Sequence, residues 1–248
     1  MVKFFGCSFT QGGGLDNIAY YNYVNKNTDL YELQHEWILD EFRIKNRFTT
    51  HITEKYNIPT ENLAKSQSSN DYIFDKLFDE IDTNENEIYF VQLSILSRRY
   101  WYYDYPKKEV NLNSYDFSAI PFGGEEEYKK LHQHFLDYNE FIFNEGVELK
   151  NILKRIKGLD CFAREKNSKI IWTAFDLGDN HKDLSDLEKY VKYVMKFEGT
   201  DMKHFCIKHK LQIFDDTNFL VNDNHLSIKG NQMVGDKIYE YLKQNNII

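Results

Sequence analysis

Apolar residues in this chain fall into a few short continuous runs, separated by longer stretches in which they recur every three to four positions. The run at 2–6, VKFFG, is short, aromatic and closed by glycine, which suits a buried first strand. EIYFVQL at 87–93 and KIIWTAF at 169–175 are near-continuous apolar runs of strand length, the signature of central strands in a parallel sheet covered on both faces. Shorter segments at 61–65 and 211–214 read as a second and a last strand.

Helical spacing marks 47–56, where Phe48, His51, Ile52 and Tyr56 share a face ahead of Pro59. It also marks 71–81, with Ile73, Phe74, Leu77, Phe78 and Ile81 in phase, and 228–242, with Met233, Val234, Ile238 and Leu242 in phase. Further helices are expected within 125–166, broken near Gly146 or Gly158, and over 183–197, with an aromatic-rich loop from about 98 to 122. Strands alternating with helices imply an α/β sandwich, read as a single domain over 1–248 with insertions at about 15–45 and 98–166. Such sheets bind ligands beyond the carboxyl ends of their strands. Ser8, the SSN after the second strand, SILSRR after the third and NDNH after the fifth would all lie on that edge.

Composition narrows the partners. The 31 Lys+Arg against 39 Asp+Glu give a formal net charge of -8, which repels polyanions and makes nucleic acid a poor partner. Cys7, Cys161 and Cys206 are odd in number and irregularly spaced, which indicates neither a disulfide framework nor a Cys-rich zinc site and suits a reducing compartment. No apolar run approaches the roughly 18 residues that span a bilayer, so no membrane partner is expected. The apolar stretch ahead of Cys7 falls short of a secretory leader, so the expected location is the cytoplasm or a particle assembled there. His132 and His134, two apart in a helical stretch, point to different sides, and no metal or organic cofactor is expected.

FFGCSFTQGGG at 4–14 sets one serine, Ser8, between an apolar run and three glycines. Alone, this is the common pattern of a strand followed by a polar turn, and a nucleophile only with support from elsewhere in the chain. A serine nucleophile needs a histidine to take its proton, a carboxylate to orient that histidine, and donors aimed at the oxyanion. Among eight histidines, His225 lies just before a terminal helix, on the expected binding edge, with acidic residues beside it. The triplet Gly12-Gly13-Gly14 has no following Lys-Ser/Thr and no G-x-G-x-x-G pattern; a flexible turn entering the 15–45 insertion, which would fold over the pocket, fits better than phosphate binding.

With FFGCSFTQG near the N-terminus, NLAKSQSSNDYIF after a helix and NDNHLSIKGNQMVGDKI near the C-terminus, the chain resembles the SGNH (GDSL-like) hydrolases in their first, second and fifth sequence blocks. More narrowly it resembles the GCSFT branch, met among phage-encoded and bacterial surface-polysaccharide-associated proteins. The motif order spans nearly the whole chain, although the motifs cover a minor part of it. The resemblance implies a flavodoxin-like three-layer α/β/α fold with a mainly parallel five-stranded sheet, and a serine esterase or acyl-transfer mechanism. Gly6-Cys7-Ser8 stands where the family has Gly-Asp-Ser, which makes Ser8 the nucleophile, and His225 matches the histidine of the last block.

Three positions depart from the family. It commonly places Asp three residues before its His, where this chain has Asn222, with Asp223 two before. In an extended loop residues two apart face the same way and Asp223 orients His225; in a helical turn Asn222 would. Asp223 is favoured, because an amide does not offset the imidazolium charge, a loss of about 10⁴ in rate in serine proteases. The glycine whose N–H completes the oxyanion hole is replaced by Gln67, and any residue but proline supplies that N–H. The side-chain amide after the third strand is missing from VQLSILSRR, which leaves Asn70, Gln92 or Ser94 to replace it, with Asn70 first.

The oxyanion donors are therefore read as Ser8, Gln67 and Asn70, although Asn70 is equally a cap for the helix that follows. Gln92, polar on an apolar strand, is read as lining the site, the alternative being that it satisfies a neighbouring backbone group. In SRRYWYYDYP at 97–106, Arg98, Arg99, Trp101 and Tyr102 are read as a substrate subsite, since aromatic faces stack on sugars and arginine fixes carboxylates or hydroxyls; the alternative is that the aromatics pack a long loop onto the body. The expected activity is cleavage of an ester, an O-acyl (acetyl) group of a carbohydrate. The alternatives are an O-acyltransferase and a non-catalytic glycan-binding or structural protein on the same scaffold.

Overall fold

A computed structural model describes residues 1–15, 36–66, 68–96, 99–103, 108–112, 133, 137, 144–178, 180–216 and 223–248. Strand β1 (Val2–Phe5) pairs in parallel with β2 (Thr60–Asn62) on one side and β3 (Ile88–Leu93) on the other, and β6 (Lys169–Ala174) extends the sheet beyond β3. The order β2-β1-β3-β6 reverses direction between β1 and β3, the point at which doubly wound sheets open a crevice at their carboxyl ends.

The register explains the continuous apolar runs. Phe4 pairs with Phe90 and Phe90 with Ile171, all three in one core cluster; Phe5 pairs with Val91 and Val91 with Trp172, all three in the other. Alternate residues thus feed opposite faces, and both faces are buried. Helices α4 (Asn70–Thr83) and α5 (Glu145–Glu165) cover the Phe5 face with Phe74, Leu77, Leu149 and Ile156. Helices α3 (Phe48–Tyr56), α7 (Met202–His209) and α9 (Ile228–Gln244) cover the Phe4 face with Phe48, Ile52, Phe205, Val234 and Ile238. The result is the expected three-layer α/β/α sandwich.

The sheet has four strands among the described residues, where five were expected. The segment 183–197, expected to be helical, forms only the single turn of α6 (Ser185–Glu188). It then runs along the edge of β6, where Trp172 N–H donates to Tyr193 O at 2.9 Å and Met195 N–H to Trp172 O at 2.8 Å. Val191, Val194 and Met195 are spaced as on a helix and all are buried, Val194 and Met195 within this edge segment.

The expected strand at 211–214 also does not join the sheet. Gln212 bridges Leu226 in antiparallel fashion, and the chain turns at once into α8 (Ile213–Asp216). Of the two expected break points, the boundary falls beside Gly146: α5 starts at the Asn144 cap, whose Oδ1 accepts from Val147 N–H, and runs through Gly158, where a side chain would meet nothing.

Within the insertions, 36–46 forms helix α2 (Glu36–Asn46), and the expected loop at 98–122 contains an antiparallel ribbon of β4 (Arg99–Tyr103) and β5 (Lys108–Leu112). Most of the expected helical material at 125–143 lies outside the described residues. No described helix is long and apolar enough to cross a membrane.

Asn231, fully buried on α9, ties the Phe4-side layer together. Its Oδ1 accepts from Phe48 N–H at 3.0 Å, and its Nδ2 donates to Leu226 O and Ser227 O. Asn231→Ala strands these buried groups and should lower the unfolding free energy by about 2 kcal/mol. Urea unfolding of the two proteins measures this; equal midpoints would show that the groups find other partners.

Candidate active site

The site begins where β1 ends. A short helix, α1 (Ser8–Gln11), starts immediately beyond Gly6 and Cys7, so the chain folds back over the end of its own strand. That return needs glycine at position 6: a Cβ there would run into the Thr10 hydroxyl and lie 2.9 Å from Gln92 Oε1. The Thr10 hydroxyl donates to Gln92 Oε1, the Cys7 thiol approaches the same oxygen at 3.8 Å, and Gln92 Nε2 lies 3.4 Å from Met202 Sδ. Asn62 Nδ2 donates to Thr10 O at 2.7 Å from the end of β2. Ser8 is the first residue of α1, so its N–H has no acceptor within the helix.

His225 comes to Ser8 from the far end of the sequence. Its Nε2 lies 2.8 Å from Ser8 Oγ, and its Nδ1 lies 2.7 Å from Asp223 Oδ1. Because a carboxylate only accepts, Nδ1 carries the proton toward Asp223 and Nε2 is left to accept from the Ser8 hydroxyl. The same Asp223 Oδ1 accepts the backbone N–H of His225 at 2.8 Å, an Asx turn that locks the two residues together. Asp223 is thus the carboxylate that His225 meets in this turn, while Asn222 lies outside the described residues.

The segment 211–213 braces this turn. Ile213 N–H donates to His225 O at 2.9 Å, Ser227 N–H to Leu211 O at 2.9 Å, and Gln212 Nε2 to Asn224 O at 2.8 Å. The Phe9 ring packs on the imidazole at 4.6 Å between centroids and stacks on Phe175 at 3.6 Å, just past the end of β6. Ser8 is 5% exposed, whereas the His225 side chain is 29% exposed, so the dyad opens to solvent through the imidazole side.

Four other described histidines also meet carboxylates: His51 with Asp236, His181 with Asp186, His204 with Asp201 and His209 with Glu198. A His–carboxylate pair is therefore common on this chain; the contact with Ser8 Oγ gives His225 its distinct chemistry. Cys206 offers no rival nucleophile, because burial and then Asp201 push its thiol up to about 12. Among the described residues no group of three or more His, Cys, Asp or Glu is placed to hold a metal ion.

The remaining expected site residues fare unequally. Ser69, not Asn70, caps α4, its Oγ accepting from Tyr72 N–H at 3.3 Å. Asn70 lies buried on the first turn and bridges to the residue after β3: its Oδ1 accepts from Ser94 N–H at 2.8 Å and its Nδ2 donates to Ser94 O at 3.1 Å. One of its two amide protons is thereby used.

Gln92 corrects the sequence reading. It is fully buried beneath α1 with its amide oxygen on Thr10 and Cys7, so it supports the serine turn and does not line the substrate space. A polar residue on a doubly buried strand needs internal partners, and here they come from the helix above it. Gln67 and Arg98 lie outside the described residues; Arg99, Trp101 and Tyr102 lie on β4, where Trp101 pairs with Val110 and Tyr102 with Glu109. Phe9, Phe175 and the 211–213 brace were not singled out in the sequence, since no local pattern marks a residue as a neighbour of His225.

Compared with known proteins, the chain matches no family model and no curated sequence. Among solved structures it is similar to the psychrotrophic esterase EstA from Pseudoalteromonas sp., at 12% identity and a TM-score of 0.49, covering 100% of this chain and 98% of that one. It is also similar to a Bacillus subtilis protein at 9% identity and 0.48, covering 100% of this chain and 57% of that one. A third is a carbohydrate esterase whose active site is described as having divergent catalytic and non-catalytic binding functions, at 13% identity and 0.44, covering 98% and 68%. These likenesses are distant, and the chemistry of the site rests on its own geometry.

The double hydrogen bond to Asp223 Oδ1 predicts a strongly downfield imidazole Nδ1–H resonance for His225 that is lost in Asp223→Ala. Proton NMR of the two proteins tests it; the same resonance in both would mean that another acceptor holds the ring.

Proposed function

We propose that this protein is a serine hydrolase of the SGNH kind that cleaves an ester, with an O-acyl group on a carbohydrate as its substrate. The observation that carries the proposal is the unbroken chain from Ser8 Oγ through His225 to Asp223, at 2.8 and 2.7 Å, at the carboxyl edge of a doubly wound sheet. Ser8 Oγ attacks the acyl carbon while its proton passes to His225 Nε2. Asp223 stabilises the imidazolium and holds the tautomer that makes Nε2 the acceptor.

The tetrahedral intermediate collapses as Nε2–H protonates the departing alcohol, which leaves the acyl group on Ser8. Water, deprotonated by the same nitrogen, then releases the acid and restores the serine. The oxyanion donors in this reading are the N–H of Ser8, the backbone N–H of Gln67 and the second amide proton of Asn70. The sugar assignment rests on the aromatic and arginine residues of the 97–106 sequence, which follow β3 along the chain. If a sugar hydroxyl replaces water in the second half-reaction, the same residues catalyse acyl transfer.

One observation favours a second reading. The Asn70 amide is hydrogen-bonded to Ser94 at both its oxygen and its nitrogen, as a structural bridge would be, which suits a glycan-binding protein that keeps the scaffold without turnover.

Hydrolysis of a short-chain nitrophenyl ester separates the readings. In the proposed enzyme Ser8→Ala lowers kcat by about 10⁶-fold and Asp223→Asn by about 10⁴-fold, the scale of triad losses elsewhere. Product diverted to an added sugar acceptor, at the expense of free acid, identifies the transferase. Absence of any Ser8-dependent turnover on nitrophenyl and acylated-sugar esters contradicts the enzyme and supports the binding protein.

A further inference from the structure

The three glycines after α1 do not form a loose entrance to the insertion; they lie along the Ser8–His225–Asp223 chain. Gly12 ends α1 in the left-handed region, with φ 91°, and its N–H donates to Ser8 O. The same carbonyl accepts Gly13 N–H at 2.6 Å. The turn is therefore anchored on the backbone of the residue whose hydroxyl meets His225.

The next two residues run beside the hydrogen bonds in order. A Cβ on Gly13 would lie 2.9 Å from Ser8 Cβ, 3.0 Å from Ser8 O and 3.2 Å from His225 Nε2. A Cβ on Gly14 would lie 2.7 Å from His225 Cβ, 2.7 Å from Ile213 Cδ1 and 2.8 Å from Asp223 Oδ2. Gly13 thus abuts the Ser8–His225 bond, and Gly14 the His225–Asp223 pair.

We propose that Gly13 and Gly14 are positioning residues for His225: their bare backbone is a wall against which the imidazole is seated, while Phe9 packs on the ring. The proposal deepens the hydrolase reading and, for its effect on turnover, rests on it. The two glycines are required for different reasons. Gly14 has φ 81°, where any side chain strains the backbone whatever the space around it. Gly13 is not in that region, so its requirement is spatial.

A methyl group at 13 has to displace either Ser8 or the imidazole, because the Ser8 carbonyl that anchors the turn prevents the loop itself from lifting away. Close packing transmits that displacement to the hydrogen bond rather than absorbing it. A shift of about 1 Å at a reacting pair lowers turnover on the order of 10²-fold, with little effect on ground-state binding.

Gly13→Ala in the full chain tests the proposal through three readings. Turnover of a nitrophenyl ester should fall about 10²-fold in kcat with KM within about twofold of wild type. The ¹⁵N resonance of His225 Nε2 should move from its wild-type position, because its partner hydroxyl is lost, whether or not any ester is a substrate. Finally, Ser8→Gly removes the Cβ that a methyl at 13 would strike, so Gly13→Ala should lower the thermal midpoint in the wild-type background and do so by less than half as much in Ser8→Gly.

Wild-type kcat together with an unmoved His225 resonance would overturn the proposal. So would equal destabilisation in both backgrounds, which marks a purely structural turn. If the wild-type protein turns over no ester, the hydrolase reading fails, and the resonance and the Ser8→Gly comparison still decide whether Gly13 seats the imidazole.

Discussion

Burial of β1 on both faces is the constraint from which the site follows. The strand is only four residues long, yet it pairs with β2 and β3 and sends Phe4 and Phe5 into opposite cores, so its carboxyl end has no freedom to move. The chain must then leave the sheet at Gly6, and it does so by folding α1 back over Gln92. Ser8 is consequently held by a strand beneath it and a polar contact beside it, the kind of support that keeps a reacting atom in place. An amide on an otherwise apolar strand, costly if unpaired, has its oxygen satisfied by the helix it supports and its nitrogen set against Met202 of α7.

The partner of Ser8 is positioned by quite different means. His225 belongs to no strand or helix; it sits in a turn fixed by its own Asp223 and by an antiparallel pairing with 211–213. The C-terminal helix then carries that turn into the core, where Asn231 fastens the stretch just after His225 to α3. The Ser8–His225 bond therefore joins two separately stabilised parts of the chain, and its integrity depends on both layers of the Phe4-side core.

The sequence showed the parts of the fold in which burial imposes a period. Apolar runs located β1, β3 and β6, and helical spacing located α3, α4 and α9, each end within two residues. Where burial came from an irregular neighbour the reading went astray: 193–195 lies along the edge of β6 and not in a helix, and 211–213 pairs with the His225 turn without entering the sheet. Ser8, Asp223 and His225 were picked out by residue type together with the family resemblance, and their side chains form one hydrogen-bonded chain. Gln92 was misread, since a buried support and a substrate contact look alike until the partner is known. The glycines at 13 and 14 were misread for the same reason, because their meaning lies in residues more than two hundred positions away.

The central claim is that Ser8 is a nucleophile activated by His225, and covalent trapping tests it most directly. After exposure to a fluorophosphonate probe, peptide mapping by mass spectrometry should place one adduct on Ser8 in the wild-type protein and little or none in His225→Ala, with the fold of both proteins verified by circular dichroism. Labelling that misses Ser8, or proceeds at the same rate without His225, would contradict the account.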